Sequence, residues 1–392
     1  MPVYTYTQYL ADCVDTVKGA NVSSALNVRN LLNRSVREVL QELDLRSTKR
    51  KSALAPNLFD DIYDYSFPAD GKSLGVIDLN PQVNRAKDSE IILITPEEFE
   101  RRKTSENNLI AIMDKDFIRK LKASIHVDDD ELVISQLDSL TSGGGTWVLF
   151  GDGTNLRADS DNFIKGSASI SWDISAAGGT TAGIQNLGLN VFDLTNYIYA
   201  GSIFAWVYIQ STTNLTNFIL RVGIDGSNYY TKTVTVVNEG TSFVNGWNLL
   251  RFDLASSSKV GTVDLTKCKY CAIYMTKDGA KISETNYRFD WIVAKRGKIY
   301  ELLYYSKYGW QTASGTYIEN STVVGDLLNA DTEEYDIFVA RGRMNVFREL
   351  KDWTEYKIAQ GDYMTMVKNY KMMYPSERKW ISSMYYDIGS IK

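Results

Sequence analysis

Histidine and cysteine are scarce in this sequence, which contains one histidine and three cysteines. Because His126 is the only histidine, an HExxH zinc motif is excluded and a catalytic triad has no evident members. A GxSxG elbow and a Walker A loop are also missing. Three cysteines cannot build a disulfide framework. Cys268 and Cys271 are spaced as CxxC, but they lie in a strand-like run where side chains three apart point to opposite faces. We therefore expect reduced cysteines and a protein that is not an enzyme.

Long apolar runs are missing as well. No run approaches the roughly 18 to 20 residues that span a bilayer, which argues against membrane insertion. Residues 1–6 contain neither a basic nor an apolar signal region, so we expect no secretory signal. The net charge of −5 argues against a specific nucleic-acid binder. The local basic run Arg46, Lys49, Arg50 and Lys51 is typical of a solvated helix end, with a contact to phosphates or an acidic partner as the alternative.

A change of character along the chain predicts one domain inserted into another. The insert begins after the glycine run 143–145 and ends at residues 295–298, and between them lies a series of short strand-like segments. The flanking sequence is more helical and more charged. We predict an α+β frame formed by residues 1–140 and 298–392, interrupted at 141–297 by an all-β jelly-roll sandwich.

The frame is expected to combine helices with small antiparallel sheets. Apolar periodicity predicts the helices at residues 21–45, 332–350 and 354–373, and Thr95-Pro96 is a helix start with proline at its first position. A short helix is predicted near 117–122. Strands are predicted at 62–68 and 74–79, and a hairpin at 300–308 and 315–318.

Period-two alternation separates a core face from an outer face in the insert. The predicted core residues are Ile203, Ala205, Val207, Ile209, Phe218, Leu220, Val222, Ile224, Leu250, Phe252, Leu254, Phe289, Trp291 and Val293. Polar or aromatic residues occupy the positions between them. This repeated pattern predicts a two-layer β-sandwich.

The outer positions place aromatic rings beside arginines, a combination that suits sugars. The candidate glycan-binding residues are Trp206, Tyr208, Arg221, Arg251 and Tyr274. The alternative is that a neighbouring loop or subunit covers these aromatics. Glu239 and Glu284 are the only glutamates of the insert, and both lie in predicted loops, which argues against a glycosidase carboxylate pair.

Three segments of the insert resemble the galactose-binding-like jelly rolls of carbohydrate-binding modules. They are KGSASISW at 165–172, GWNLLRFDL at 246–254 and RFDWI at 288–292. The resemblance implies a glycan ligand and a structural calcium ion between the first loop and the last strand, held by Asp152 and Asp290. The alternative is a surface-loop Asp152 and an Asp290 hydrogen-bonded to backbone.

The frame resembles the head-to-tail adaptor proteins of tailed phages. The motif YDYSFPAD at 63–70 has the tyrosine-rich strand and Pro-x-Asp turn of those proteins, and LLYYSKYGW at 302–310 precedes two long helices. The resemblance implies a virion protein at the head-tail junction, made in the host cytoplasm. Its partners would be the portal, tail or neck proteins and further copies of itself in a ring, a dodecamer in that family.

Aromatic and methionine side chains at the C-terminus suit protein interfaces. The predicted assembly residues are Tyr370, Met372, Met373, Tyr374, Trp380, Tyr385 and Tyr386. The leading hypothesis is therefore a connector ring subunit that displays the sandwich outward, where it can bind glycans. The alternative is a carbohydrate-binding adhesion protein with a helical anchor.

Overall fold

The computed structural model describes residues 4–14, 28–52, 57–81, 91–106, 108–115, 118–125, 131–176, 178–199, 201–277 and 283–378. Its helices are α1 (Tyr6–Val14), α2 (Val28–Glu42), α3 (Pro96–Arg102), α4 (Thr332–Glu349) and α5 (Trp353–Met373). None of the helices within these ranges is long and apolar enough to cross a membrane.

The helices α1, α2, α4 and α5 pack into one apolar core of the frame. Leu32, Val36 and Val39 of α2 meet Phe338 of α4 and Val367 of α5 there. The predicted helices at 332–350 and 354–373 are confirmed. The helix predicted at 21–45 is confirmed over Val28–Glu42, while residues 21–27 lie outside the described residues.

Local sequence explains where these helices begin. Thr95 caps α3 by accepting a hydrogen bond from the Glu98 backbone at 3.2 Å, as the predicted helix start requires. Asp331 caps α4 in the same way, by accepting a hydrogen bond from the Glu334 backbone N–H. The Glu334 carboxylate in turn accepts a hydrogen bond from the Asp331 backbone N–H at 3.2 Å. This capping box satisfies amide groups that the first turn leaves without partners.

Short strands complete the frame. They are β1 (Tyr4–Thr5), β2 (Lys49–Lys51), β3 (Asn57–Leu58), β4 (Asp64–Ser66), β5 (Gly71–Pro81), β6 (Ile92–Leu93), β7 (Leu109–Lys115), β8 (Ile118–Ser124), β21 (Lys298–Ser306), β22 (Trp310–Gln311), β23 (Tyr317–Ile318) and β24 (Leu327–Leu328). They form three small sheets with the orders β1-β24-β22-β23, β2-β21-β3 with β5 beside β21, and β4-β8-β7-β6.

Three predictions for the frame are wrong. The small sheets are not all antiparallel, because β6 pairs with β7 in parallel. The short helix near 117–122 is strand β8 from residue 118 onward, because that segment pairs with β7 and its apolar residues Leu121 and Ala123 alternate with the polar Lys122 and Ser124. The predicted hairpin between 300–308 and 315–318 also differs. Strand β21 pairs with β2, β3 and β5, and the hairpin partner of β23 is β22.

The sandwich contains the remaining strands. They are β9 (Glu131–Ser135), β10 (Val148–Gly151), β11 (Gly153–Asp159), β12 (Ser169–Ile174), β13 (Thr181–Asn186), β14 (Gly201–Ile209), β15 (Leu215–Asp225), β16 (Asn228–Val234), β17 (Gly246–Asp253), β18 (Ser258–Val260), β19 (Tyr270–Lys277) and β20 (Glu284–Arg296). One sheet has the order β11-β12-β20-β14-β17, with β9 also paired to β20. The other has the order β10-β13-β19-β15-β16-β18. The two-layer β-sandwich is confirmed, and β9 places part of it before residue 141.

Most of the predicted core residues lie between the two sheets, but the end of β20 does not follow the prediction. Phe289 is in the sandwich core, whereas Trp291 and Val293 belong to a different apolar cluster. Trp291 has φ 51°, and the pairing of β20 with β14 shifts register between Phe204 and Trp206. This irregularity reverses the alternation, so Ile292 and Ala294 point into the core instead.

Trp291 and Val293, which the irregularity turns away from the sandwich core, attach the sandwich to the frame. Phe204, Trp291 and Val293 share a buried cluster with frame residues that include Phe59. The rings of Phe59 and Phe204 meet edge to face at 4.9 Å between centroids. We call the sheet that contains β14 and β20 the frame-facing sheet, and the sheet that contains β15 and β19 the outward sheet. The outer surface of the outward sheet therefore lies on the side of the sandwich away from this contact.

Candidate functional site

Aromatic side chains cover the outer surface of the outward sheet around one arginine. We define the outward aromatic face as Phe150, Ile219, Arg221, Tyr229, Tyr270 and Tyr274. Its apolar members form a cluster separate from the sandwich core, and every member of that cluster belongs to the sandwich. This face is the candidate functional site.

Strand alternation produces this face. On β15, Leu220 and Val222 point into the core, so Ile219 and Arg221 point outward. On β19, Ile273 is in the core, and Tyr270 and Tyr274 are on the opposite side by the same alternation. Strands β10 and β16 contribute Phe150 and Tyr229 from either side.

Small residues leave room for the rings. Gly183 is directly opposite Tyr274 in the ladder, and Gly223 is directly opposite both Tyr270 and Tyr229. A Cβ atom at Gly183 would lie 2.5 Å from the Tyr274 Cβ, and one at Gly223 would lie 3.0 Å from the Tyr229 Cβ. Side chains at these two positions would crowd the tyrosines, so glycine allows the rings to lie over the sheet.

The rings enclose the Arg221 guanidinium. Its Cζ atom lies 4.8 Å from the Tyr229 ring centroid, 5.1 Å from that of Tyr274 and 5.7 Å from that of Phe150. The rings of Phe150 and Tyr274 are stacked at 4.3 Å. These cation–π and stacking contacts fix a planar donor group among flat apolar surfaces.

Hydrogen-bonding groups on this face are left with free capacity. The Nε of Arg221 is buried without a hydrogen-bond partner among the described residues, and so is the Oδ1 of Asn217, which lies outside the face on the same strand. Burial raises the pKa of Tyr270 to about 12, against the opposing effect of Arg221. Burial also raises the pKa of Tyr274. Both phenols are therefore protonated at neutral pH and can donate as well as accept hydrogen bonds.

Of the predicted glycan-binding residues, Arg221 and Tyr274 lie together on the outward aromatic face, whereas Trp206, Tyr208 and Arg251 lie on β14 and β17 of the frame-facing sheet. Trp206 is half-buried against the cluster that joins sandwich and frame. Arg251 donates from Nε to Ser202 Oγ at 3.1 Å and lies over the frame ring of Phe59 at 4.8 Å. Burial lowers the pKa of Arg251. A neighbouring part of the chain therefore covers Trp206 and Arg251, which is the alternative given for these residues in the sequence analysis.

Tyr208 also lies on the frame-facing sheet. Its ring meets Trp247 edge to face at 5.6 Å, and the Arg288 guanidinium lies 4.9 Å from its centroid. Arg288 in turn donates from Nε to Asp159 Oδ2 at 2.7 Å. Tyr208 is therefore held by residues of its own sheet, away from Arg221 and Tyr274.

Sequence reasoning missed Phe150, Tyr229 and Tyr270. The signal for Tyr270 was present, because it has the same alternation as Tyr274 four residues later on one strand. Phe150 and Tyr229 come from strands whose position beside β19 and β15 depends on long-range pairing. Nothing in their local sequence indicates that pairing.

The two carboxylates expected at a calcium ion have different partners. Asp152 Oδ2 accepts a hydrogen bond from Lys277 Nζ at 2.6 Å. Asp290 Oδ2 accepts bonds from the backbone N–H groups of Ile164 and Lys165 at 2.7 and 3.0 Å. Asp290 Oδ1 is buried without a hydrogen-bond partner among the described residues. The contacts of Asp152 and of Asp290 Oδ2 are with nitrogen donors, not with the further oxygen ligands that calcium needs. Within the described ranges no group of three or more His, Cys, Asp or Glu residues could hold a metal. The calcium site stays a prediction that these contacts do not support.

The predicted assembly residues divide into buried and exposed ones. Tyr370 is 2% exposed and donates its hydroxyl to Glu334 at 2.8 Å, so it belongs to the frame core and offers no free surface. The ring of Tyr374 meets that of Tyr370 at a tilt of 51°, and Tyr374 is half-buried. Met372 and Met373 are exposed. The remaining predicted residues, Trp380, Tyr385 and Tyr386, lie outside the described residues.

A crevice of about 850 Å³ lies between sandwich and frame, and Asp70, Lys232 and Arg251 are among its lining residues. Asp70 accepts hydrogen bonds from Tyr304 and Ser306, and Lys232 donates to Ser256. These charged groups already have partners in the protein. The crevice is therefore a weaker candidate site than the outward aromatic face.

No family model matches the chain, and no curated protein matches it. Solved structures similar to it include a family 11 carbohydrate-binding module from Clostridium thermocellum in complex with a β-1,3-1,4-mixed-linked tetrasaccharide, with 12% identity and a TM-score of 0.30 over 42% of this chain and 95% of that chain. A family 30 carbohydrate-binding module has 11% identity and a TM-score of 0.30 over 42% of this chain and 98% of that chain. These similarities are too low to carry an argument about ligand, and they give no support to the adaptor resemblance of the frame.

Proposed function

We propose that this protein binds a carbohydrate on the outward aromatic face of its sandwich. The observation that carries the proposal is the ring arrangement around Arg221, in which Phe150, Tyr229 and Tyr274 lie within 6 Å of one guanidinium. The apolar cluster of this face contains no frame residue. It therefore combines apolar platforms with a fixed hydrogen-bond donor on the side away from the frame.

Binding would use the flat rings and the polar groups together. A pyranose ring presents C–H groups that stack on Phe150 and Tyr229, the half-buried rings of the face. Its hydroxyls would accept bonds from Arg221 and exchange bonds with the hydroxyl of the half-buried Tyr229. Because the residues stand on paired strands, little side-chain order has to be created on binding.

The proposal is binding without hydrolysis. Glu239 and Glu284 are the glutamates considered for a glycosidase carboxylate pair, and both have other partners. Glu239 bonds Lys120 at 2.7 Å, and Glu284 contacts the Tyr287 hydroxyl. Neither belongs to the outward aromatic face. We expect no release of reducing sugar from any polysaccharide that the protein binds.

The test is affinity electrophoresis of the purified chain against a panel of soluble polysaccharides, followed by titration calorimetry on each ligand found. Phe150→Ala should weaken binding by about fivefold, because it removes a stacking surface worth ~1 kcal/mol. Tyr199→Ala is the matched control, since Tyr199 is an exposed aromatic of the same domain outside this face. Wild-type protein that retains no polysaccharide of the panel would contradict the proposal.

A second candidate function, assembly of the frame into a ring, is favoured by exposed apolar side chains on α5. They are Trp353, Ile358, Met364, Met366, Met372 and Met373. Such side chains are enriched at protein interfaces, and the sequence resemblance of the frame points to a phage connector. Mass photometry of the chain alone and with a portal ring tests this function. A persistent monomer in both conditions would contradict it.

A further inference from the structure

We propose that the carbohydrate bound by the outward aromatic face is acidic, with its carboxylate or sulfate group placed on Arg221. This inference rests on the proposed function and adds a ligand class to it. It is motivated by the charge environment of Arg221, which lacks the carboxylate partner that Lys277, Lys295 and Arg288 of the sandwich have.

Each of those three cations has a carboxylate partner. Lys277 bonds Asp152 at 2.6 Å, Lys295 bonds Glu131 at 2.7 Å, and Arg288 bonds Asp159 at 2.7 Å. Arg221 has no carboxylate within 4.0 Å among the described residues. Taking the charge of an arginine out of water costs free energy, which a counter-charge can offset.

The nearest acid along the same strand is committed to a turn. Asp225 Oδ1 accepts hydrogen bonds from the backbone N–H groups of Ser227 and Asn228 at 2.8 and 2.9 Å. These bonds help to hold the pKa of Asp225 below its usual range. Asp225 therefore stabilises the turn between β15 and β16 and is not a counter-ion for Arg221.

The rest of the face is neutral. Strand register places Thr231 and Ala272 directly beside Arg221, and Thr233 beside Ile219. An acidic sugar would thus meet no carboxylate on the ladder positions around Arg221. The protein as a whole has a net charge of −5, so this face is a local exception that favours an anionic ligand.

The rings around Arg221 strengthen such a contact. They exclude water from the sides of the guanidinium, and charge-assisted hydrogen bonds gain strength where the local dielectric is low. The planar fork can bond a carboxylate through two N–H groups at once. The unpartnered buried Nε is one donor that this arrangement leaves unsatisfied.

The experiment compares matched polymers that differ only in their acid groups. Polygalacturonate and alginate are titrated beside their methyl-esterified forms, and carrageenan beside its desulfated form, each with the wild-type chain. We expect at least one acidic polymer to bind about tenfold or more tightly than its neutral counterpart, with affinity falling as salt is raised. The carboxylate and sulfate pairs show which anion is preferred.

Variants then locate the preference. Arg221→Gln should remove the difference between acidic and neutral polymers, whereas Arg221→Lys should keep part of it because the charge remains. Arg157→Gln is the matched control, since Arg157 belongs to the frame-facing sheet and lies 3.5 Å from Asp173. Thermal melts establish that each variant is folded.

Two results would overturn the inference, and they differ from failure of the proposed function. Equal wild-type binding of acidic and neutral polymers would refute the acidic ligand class while leaving carbohydrate binding intact. An acid preference that survives in folded Arg221→Gln would refute the role of Arg221. Binding of no polymer of either kind would instead refute the proposed function, and the inference with it.

Discussion

The two outer faces of the sandwich both place an arginine among aromatic rings, yet they have opposite roles. On the frame-facing sheet, Arg251 lies over Phe59 of the frame, and Phe204 is fully buried beside that ring. On the outward sheet, Arg221 is enclosed by rings of the sandwich alone. The same residue types therefore build a domain contact in one place and a candidate binding face in the other. What differs is the tertiary surroundings of each arginine.

Hydrogen bonds between side chains and the frame also hold the frame-facing side, and among the described residues none is found on the outward aromatic face. Lys120 of the frame bonds Glu239 of the sandwich at 2.7 Å, and Asn238 donates to the backbone carbonyl of Asp64. Together with the Phe59–Phe204 contact, these bonds fix the sandwich on the frame. A domain held by one face presents its other face in a constant orientation, which suits a binding surface.

The largest expected effect concerns the contact between the frame-facing sheet and the frame. Phe204→Ala should lower the free energy of unfolding by about 3–5 kcal/mol, because it leaves a cavity in a fully buried cluster. Phe163→Ala is the control, since Phe163 is 39% exposed, and should cost about 1 kcal/mol or less. Urea unfolding followed by tryptophan fluorescence measures both. Equal stability of the two variants would mean that Phe204 does not anchor the sandwich.

The next largest effect concerns ligand binding at the outward aromatic face. Tyr229→Ala should weaken polysaccharide binding about tenfold, while changing the free energy of unfolding by only about 1 kcal/mol, because its ring is half-buried on the outer surface. Calorimetric titration and urea unfolding of the same preparation separate the two quantities. A large loss of stability without a loss of binding would make Tyr229 a packing residue.

A direct contrast of the two arginines should give a smaller effect on stability. Arg251→Gln should lower the free energy of unfolding by about 1–2 kcal/mol, since it removes a buried hydrogen bond and a ring contact, and should leave ligand affinity unchanged. Arg221→Gln should lower the ligand affinity and leave the free energy of unfolding nearly unchanged. If both variants lost affinity to the same extent, the two faces could not have separate roles.

The smallest effect concerns pH. Although burial opposes it, the hydrogen bond from Arg288 holds the pKa of Asp159 below its usual range. The stability from this contact is therefore present above the unfolded-state pKa near 3.9 and is lost as pH falls through the lower folded-state pKa. Asp159→Asn should flatten the acid side of the stability profile measured by urea unfolding between pH 5 and 2. An unchanged profile would show that the Asp159–Arg288 contact does not contribute.

Much of the sandwich core could be predicted because alternation is a local property. Phe218, Leu220 and Val222 lie in the core as their spacing indicates. The prediction failed at Trp291, where a left-handed backbone conformation reverses the alternation. A β-bulge of this kind has no signal in a pattern of apolar and polar residues.

The candidate site was harder to predict because it depends on which outer face meets the frame. Spacing placed Trp206 and Arg221 on outer surfaces, but it did not indicate that one surface is covered and the other is not. That distinction arises when residues far apart in sequence meet, as Phe59 and Phe204 do. The adaptor resemblance of the frame stays a prediction, as does the role of the exposed methionines of α5.

The most direct test of the account compares the two faces in one titration. Two double variants, Phe150→Ala with Tyr229→Ala and Trp206→Ala with Tyr208→Ala, are titrated with the polysaccharide that the wild-type chain binds, after circular dichroism confirms that both are folded. We expect the first variant to lose binding and the second to retain wild-type affinity. Retained binding in the first variant, or lost binding in the second, would contradict the assignment of carbohydrate binding to the outward aromatic face.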